Sequence, residues 1–286
     1  MGSWYSLAIV ASVLMGTQRF LYKVAAERGC STFLTTFSFM ATVAFLSCCA
    51  VVVFKVSVTN VRYLALIALL NSGSFLLGTV SHIEALRTIP AMLAYPIIRL
   101  NIVIVALFSV FFFEDRLSVS QMLGIACAIA VIIILSREFQ EKQGPRGATK
   151  RGTGYLCVAL LCGAIAAISS KFAALYTNEM TFMALAYILS ALFSLAIKDK
   201  LRAKQTTLIT WDALIIGVGM GLINFIGYYT FLIALARGPL SVIAAITGMH
   251  FVIAIVLSAA IYREPLTGSR LGGVALAALS VLVLRL

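Results

Sequence analysis

The residues of this sequence with the clearest chemistry are polar side chains set inside long apolar runs. Arg99 lies about nine residues into one such run, with largely apolar residues for a turn or more on each side. A charge at the centre of a bilayer costs about 2.5 kcal/mol or more, so it normally faces a cavity or a partner. A guanidinium group can bind a carboxylate or a phosphate through two hydrogen bonds. The position of Arg99 therefore indicates a binding site for an anionic group. The alternative is that Arg99 caps carbonyl groups of a neighbouring helix.

The first apolar run carries a second group of polar residues near its end. Gln18 and Tyr22 stand four residues apart, so they share one helix face. Arg19 and Lys23 form another such pair. Four polar residues within two turns are unusual on a lipid-facing surface, which favours a cavity for Arg19. Lys23 is closer to the interface, where a long side chain can reach water, and snorkelling is the favoured interpretation there.

Polar residues in the later runs complete the set of candidates. Tyr95 stands four residues before Arg99, on the same helix face. Asn101 is about 200° around the helix from Arg99, so the two are not expected to face one ligand. Asn101 and His250 are therefore expected to bond across helices more than to line a cavity. The candidate substrate-binding residues are Gln18, Arg19, Tyr22, Asn71, Tyr95, Arg99, Asn224, Tyr228 and His250.

The distribution of acidic residues and histidines excludes several kinds of chemistry. No Asp or Glu lies in the middle of a run, whereas a proton-coupled exporter of cationic drugs needs one to bind the cation and the proton in turn. Glu84, near the end of a run, is expected to pair with Arg87. The two histidines, His82 and His250, stand in different halves, and the sequence has no HExxH and no P-loop motif. These features predict no catalytic residues, no metal, no cofactor and no ATP-driven pump.

The composition places these residues in a membrane. Of the 286 residues, 62% are hydrophobic and 11% are charged, whereas average soluble domains are about half apolar and a quarter charged. The apolar runs are continuous, which excludes the alternating strands of a transmembrane barrel. The net charge of +12 fits Lys and Arg in loops that set topology and contact anionic lipid, so a nucleic-acid partner is not expected.

Hydropathy divides the chain into ten predicted spans. A spanning helix needs about 20 apolar residues, so ten spans leave no room for a sizeable extramembrane domain. The short connections make successive spans antiparallel neighbours. The spans are 4–26, 32–54, 62–81, 90–113, 118–136, 153–174, 180–197, 211–235, 239–262 and 267–285.

The two halves of the chain match when the sequence is shifted. At a shift of 149 residues Pro90 falls on Pro239, and many other residues of the half-chain align at the same shift. At a shift of 148 Lys23 falls on Lys171, for which snorkelling is again the favoured interpretation. The glycines of the eighth span are expected to be close-packing positions.

This internal match predicts the fold class. Residues 1–136 and 153–286 form two five-helix repeats, joined by a basic loop at 137–152. Because five is odd, the second repeat enters the membrane from the opposite side. The expected fold is an all-α integral membrane protein with ten transmembrane helices in two inverted five-helix repeats. Inverted repeats are typical of secondary transporters, since two similar halves can exchange conformations and open one site to either face.

Four segments of the sequence resemble a known family. They are ALRTIPAMLAYPI (85–97), EDRLSVSQMLGIACAIAVIIIL (114–135), ALARGPLSVIAAI (234–246) and REPLTGSRLGGVALAALSVLVL (263–284). They are similar to the EamA type of the bacterial drug/metabolite transporter superfamily over essentially the whole chain. The resemblance implies a central cavity lined by spans one, three, four, six, eight and nine, with spans five and ten at the periphery.

Together these features predict a secondary active transporter in the cytoplasmic (inner) membrane. Its substrate is expected to be a small metabolite, an amino acid or another organic solute that bears a carboxylate, moved by export or exchange. A coupling proton or a counter-substrate is a candidate partner, and ten helices suffice for a monomeric carrier. The alternatives are an exporter of multiple cationic drugs, and a channel or other non-transporting membrane protein.

Charge and resemblance disagree about the orientation of the chain. Alternate connections carry thirteen Lys and Arg on the side of the inter-repeat loop and five on the other side. Because cytoplasmic loops are enriched in Lys and Arg, this count puts both termini outside. The resemblance implies that both termini are cytoplasmic. The charge count is favoured here, and the accessibility of a cysteine introduced into a loop decides between them.

Overall fold

The computed structural model describes residues 3–58, 60–89, 94, 97–115, 117–130, 150–198, 210–262 and 268–284. Their regular secondary structure is entirely helical. The helices are α1 (Ser3–Glu27), α2 (Thr32–Val53), α3 (Val61–Thr88), α4 (Asn101–Phe112), α5 (Val119–Ala130), α6 (Lys150–Tyr176), α7 (Glu179–Ala196), α8 (Thr210–Arg237), α9 (Leu240–Gly248), α10 (His250–Tyr262) and α11 (Gly268–Val283).

Six of these helices are long and apolar enough to cross a membrane: α1, α2, α3, α6, α7 and α8. The remaining described helices are shorter and apolar. The third helix continues to Thr88 rather than ending at 81, because polar residues of its last turns are buried against other helices. The sixth begins at Lys150, three residues earlier than predicted. Most of the predicted basic loop, up to residue 149, lies outside the described residues.

Local sequence explains where several helices begin and end. Gly29 adopts a left-handed backbone with φ of 63°, which lets the chain reverse between α1 and α2. The Ser31 hydroxyl then accepts a hydrogen bond from the Leu34 N–H and caps α2. The Asn178 side chain accepts hydrogen bonds from two backbone N–H groups in the first turn of α7. Short capped connections of this kind hold neighbouring helices antiparallel.

One end of the helix bundle brings together the ends of α1 and α3 with the beginnings of α2 and α8. Arg28, just after α1, pairs with Asp212 in the first turn of α8, with N and O atoms 3.1 Å apart. Arg87 of α3 donates to the hydroxyl of Thr32 in α2 at 3.0 Å. We call this region the Asp212 end.

The opposite end joins α4, α6, α8 and α9, and we call it the Asp115 end. Asp115, after α4, accepts hydrogen bonds from the backbone N–H and the hydroxyl of Ser241 at 3.2 and 2.8 Å. Lys171 of α6 donates to the carbonyl oxygens of Leu235 and Gly238 at 2.6 and 2.9 Å. The snorkelling interpretation of Lys171 is therefore wrong: its buried ammonium group caps the last carbonyls of α8.

Small residues allow α8 to pack closely on α2. A Cβ atom at Gly217 would lie 2.7 Å from the Thr35 carbonyl oxygen, and one at Gly221 would lie 2.5 Å from the Thr42 Cβ. These two glycines confirm the expected close packing, whereas a Cβ at Gly219 would meet nothing nearer than 4.0 Å.

The fourth and ninth predicted spans are interrupted at equivalent positions. A turn at Leu100 precedes α4, and a turn at Met249 separates α9 from α10, exactly one repeat shift of 149 residues later. Both turns are wound tightly, as in a 3₁₀-helix. In both turns N–H groups bond to carbonyls three residues earlier: Leu100 to Ile97 (3.1 Å), Val103 to Leu100 (3.0 Å), Met249 to Ile246 (3.2 Å) and Val252 to Met249 (2.9 Å). The Met249 N–H also lies 3.3 Å from the Ala245 carbonyl oxygen. The two turns thus share these hydrogen bonds at positions that the sequence repeat makes equivalent.

Candidate functional site

A cavity of about 120 Å³ lies between the helices of predicted spans one, three, four, six, eight and nine. These are the six spans that the family resemblance implied. No described residue of α5 or α11 lines the cavity, as expected for peripheral helices. The lining combines basic, amide, hydroxyl and aromatic side chains, so the site can bind a polar molecule with an apolar part.

Four basic side chains face this cavity. Arg19 of α1 stands with Nη1 3.3 Å from Nδ1 of His82 in α3, and its guanidinium carbon lies 4.8 Å from the centre of the Tyr22 ring. Arg99 and His250 line the cavity too, and both arginines are close enough to act electrostatically on both histidines. Among the described lining residues there is no carboxylate. The positive charge of the cavity therefore lies on its two arginines, and the two histidines add polar ring nitrogens beside them.

His82 was not among the predicted site residues. It is 2% exposed and belongs to the cavity lining. The sequence contained a signal for it, because Ser74, Gly78 and His82 follow one another at intervals of four along one face of α3. Other lining residues, such as Thr79 and Ser170, had no comparable signal, since hydroxyls are frequent on packed helix faces.

A chain of hydrogen bonds crosses the cavity wall from α1 to α7. Gln18 donates to the Tyr22 hydroxyl at 3.2 Å and accepts from Asn224 of α8 at 2.9 Å. The Tyr187 hydroxyl of α7 donates to the Asn224 side-chain oxygen at 2.5 Å. Gln18 and Asn224 line the cavity, as predicted for site residues. Tyr22 is fully buried behind them and does not line it.

A second polar group involves α3, α6 and α8. Asn71 donates to the Ala166 carbonyl at 3.0 Å and to the Ser169 hydroxyl at 2.8 Å. The Tyr228 hydroxyl is 2.7 Å from that of Ser170 and donates to Asn71 at 3.4 Å. Tyr228 faces the cavity, whereas Asn71 lies behind it and braces α3 against α6.

The structure corrects the expectation for Asn101 and His250. Both line the cavity together with Arg99, so the idea that Asn101 and Arg99 cannot face one site is wrong. The physical reason is the tight turn at Leu100. A 3₁₀ turn rotates by about 120° per residue, which leaves the two side chains about 120° apart instead of 160°. Neither ring nitrogen of His250 has a hydrogen-bond partner among the described residues, so the expected cross-helix bond is absent there.

Two further predicted residues have different outcomes. Glu84 lies 3.5 Å from the Nε of Arg87, as predicted, and it also accepts a hydrogen bond from Thr32 at 2.9 Å. This carboxylate is thus committed to the Asp212 end and does not line the cavity. Tyr95 lies outside the described residues.

Comparison of the sequence and the fold with known proteins identifies the family. The model of the EamA-like transporter family matches the chain twice, over residues 2–137 and 150–286. No curated protein matches the chain in sequence. A solved structure titled "Crystal structure of protein" superimposes with a TM-score of 0.75 at 18% identity, covering 98% of this chain and 96% of the other, which is a likeness of fold.

The two family matches together cover nearly the whole chain, and the described helices include six that can span a bilayer. The protein is therefore a multi-pass integral membrane protein of the drug/metabolite transporter superfamily. Its family consists of transporters rather than enzymes. The chain belongs to the EamA-like transporter family.

Proposed function

We propose that this protein is a secondary active transporter of a small organic anion, an amino acid or another metabolite that bears a carboxylate or phosphate. It acts in the cytoplasmic membrane, by alternating access, as an exporter or exchanger, and a monomer suffices. The single observation that carries the proposal is the convergence of Arg19, His82, Arg99 and His250 on one cavity whose described lining contains no carboxylate.

Physical chemistry links this lining to the substrate. Arg99 is 7% exposed, so its guanidinium group has given up most of its contact with water. A carboxylate or phosphate entering the cavity can bind a guanidinium group through two charge-assisted hydrogen bonds. An anionic substrate therefore gains more from this cavity than a neutral solute of the same size.

The proposal includes two inverted five-helix repeats as the basis of alternating access. The matched turns at Leu100 and Met249 support it, because tight turns inside helices are frequent at hinges. Each turn is also next to a cavity-lining residue, Asn101 or His250. Bending at these turns alters the cavity directly. A coupling proton or a counter-substrate completes the cycle.

The main alternatives make different demands on the cavity. An exporter of cationic drugs needs an acidic side chain in the cavity, and the described lining has none. A channel conducts without saturation, whereas a carrier exchanges bound substrate. Saturable counterflow of labelled substrate in proteoliposomes separates the carrier from the channel.

Substitution of Arg99 tests the proposal. A panel of amino acids and other metabolites is screened by counterflow to find transported anions. We expect Arg99→Ala to reduce their transport by about tenfold to a hundredfold, since a hydrogen bond to a charged group contributes about 1.5–3 kcal/mol. Arg99→Lys should retain part of the activity. Arg62→Ala, at an exposed residue of α3, is the matched control. Unchanged transport of every anion in Arg99→Ala contradicts the proposed role.

A further inference from the structure

The repeat allows the cavity-lining residues to be compared in pairs. The shift is 149 residues for most helices and 148 between α1 and α6. Each of the four basic side chains has a partner that also lines the cavity, and each partner is uncharged. The pairs are Arg19 with Ala167, His82 with Phe231, Arg99 with Gly248, and His250 with Asn101. We call Arg19 and His82 the basic pole, and Ala167 and Phe231 the neutral pole, whereas the other two pairs lie at the tight turns of Leu100 and Met249.

The two poles differ in position along the helices. Arg19 and His82 lie nearer the Asp212 end, since they precede the last residues of α1 and α3 by eight and six positions. Phe231 precedes the last residue of α8 by six positions, so it lies nearer the Asp115 end. Ala167 stands on α6, whose last turns lie at that same end. The basic side chains of α1 and α3 therefore lie toward one end of the bundle, and their uncharged counterparts on α6 and α8 lie toward the other.

The neutral pole offers aromatic and small side chains in place of charge. Phe231 stacks on Tyr228 with ring centres 6.0 Å apart, and Tyr228 lies 6.3 Å from Phe75. All three residues line the cavity. Lys171, a buried cation at this end, does not line the cavity and is bonded to backbone carbonyls. An apolar or aromatic group fits this surface, whereas a second anion would find no cationic partner among the described residues that line it.

Beside the tight turn at Met249, the side chain of His250 can form further hydrogen bonds. His250 is 4% exposed and faces the cavity, and neither of its ring nitrogens is hydrogen-bonded to a described residue. The Thr247 carbonyl is near the ring but does not meet hydrogen-bond geometry. Buried polar groups in native proteins nearly always have partners. A polar group of a ligand in the cavity can form such a hydrogen bond.

We infer that the cavity binds its substrate in a single orientation, with one anionic group at the basic pole and an apolar body against the neutral pole. The inference rests on the proposed function and narrows its substrate class to head-and-tail anions. A molecule with carboxylates at both ends is excluded, because its second carboxylate would lose water against Phe231 and Ala167 without gaining a partner.

Three ligands that share a benzene ring test this inference: benzoate, terephthalate and benzamide. They carry one carboxylate, two opposed carboxylates and no charge. Binding to the purified full-length protein is measured from the rise of its thermal unfolding midpoint with ligand concentration. We expect benzoate to bind at least about tenfold more tightly than terephthalate, the cost of one unpartnered charge. Benzamide should bind more weakly than benzoate.

The substitution Phe231→His places a base in the neutral pole at the position that mirrors His82. We expect this substitution to reduce the ratio of the affinities for benzoate and terephthalate by several-fold. Phe225→His adds the same side chain to α8 outside the cavity lining and should leave this affinity ratio unchanged. The comparison of ligands on the wild-type protein remains decisive if Phe231→His fails to fold.

The outcomes separate the two claims. Equal affinity for benzoate and terephthalate, with both above benzamide, overturns the single orientation and leaves the anion transporter intact. Equal affinity for benzoate and benzamide, or no binding of either, counts against anion recognition itself and overturns the proposed function with it. Tight binding of benzoate alone supports both.

Discussion

The two halves of this protein agree where helices pack and differ where the cavity is charged. Lys23 and Lys171 stand at equivalent positions and are both buried. The turns at Leu100 and Met249 have equivalent backbone hydrogen bonds. The basic cavity residues Arg19, His82, Arg99 and His250 instead have uncharged residues at the equivalent positions of the other half.

This difference separates two roles. Residues and turns that occur in both halves serve both ends of the bundle. We therefore assign them to helix packing and to conformational change. Features present in one half alone distinguish one side of the cavity from the other. We therefore place substrate recognition in the unmatched residues and structural support in the matched ones, and the predictions below test that division.

The largest expected effect on transport comes from Arg19 of α1, whose equivalent on α6 is the uncharged Ala167. Arg19→Gln removes a charge from the basic pole and should reduce anion counterflow by about tenfold to a hundredfold. Ala167→Ser makes a small polar change at the mirrored position, and we expect less than about a threefold effect. Equal losses in the two variants, measured in proteoliposomes, would show that the poles are not distinct.

Two glycines sharpen the comparison of the matched turns. A Cβ at Gly16 would lie 2.6 Å from the His250 carbonyl oxygen, whereas one at Gly163 would meet the end of the flexible Asn101 side chain at 2.7 Å. Gly16→Ala should therefore destabilise the protein by about 1–3 kcal/mol, and Gly163→Ala by less. Thermal unfolding in detergent measures both.

Gly73→Ala is the control for these glycine substitutions. A Cβ at Gly73 would have no atom within 4 Å, and Gly73 lies inside α3. Ala is favoured over Gly in helices by about 0.5–1 kcal/mol, so this variant should be unchanged or slightly more stable. A loss of stability as large as that of Gly16→Ala would contradict the assigned cause.

The lysine at the Asp115 end should affect stability without affecting recognition. Lys171→Met removes the donor to the carbonyls of Leu235 and Gly238. Leaving these buried acceptors without a partner costs about 1–3 kcal/mol, so the unfolding midpoint should fall. The affinity for benzoate, measured on the same sample, should stay within about twofold of the wild type. A large loss of affinity would place Lys171 with the recognition residues.

The smallest effect is expected at the Asp212 end. Arg28 and Asp212 form an ion pair whose side chains are 57% and 39% exposed. Exposed pairs contribute about 0–1 kcal/mol and are screened by salt. Arg28→Ala should therefore change the unfolding midpoint by no more than a few degrees at low salt, and less at high salt. A loss comparable to that of Gly16→Ala would show that this end is held by the ion pair.

Sequence patterns predicted the helices well because hydropathy reports directly on burial in lipid. The positions of α1, α2, α7 and α8 agree with the predicted spans to within a few residues. The missed end of α3 has a physical cause. Glu84 and Arg87 lower the hydropathy of its last turns, although both side chains are satisfied by other groups within the bundle.

The site was predictable only in part. Arg19, Arg99, Asn224 and Tyr228 stood out because polar residues in apolar runs need a cavity or a partner. Asn71 has the same signature, and its side chain finds a partner on the neighbouring helix instead. Periodicity assumes a regular helix, so the tight turn at Leu100, which brings Asn101 into the cavity, could not be predicted from it.

The most direct test of an anion in this cavity uses its own cysteine. Cys162 lines the cavity, and Cys157, on the same helix, is exposed on the outer surface and does not. Each is kept as the sole cysteine by replacing the other five with serine, and its alkylation by N-ethylmaleimide is timed with benzoate or benzamide. We predict that benzoate slows alkylation of Cys162 several-fold, that benzamide has less effect, and that Cys157 responds to neither. Equal rates at Cys162 with and without benzoate would contradict the account.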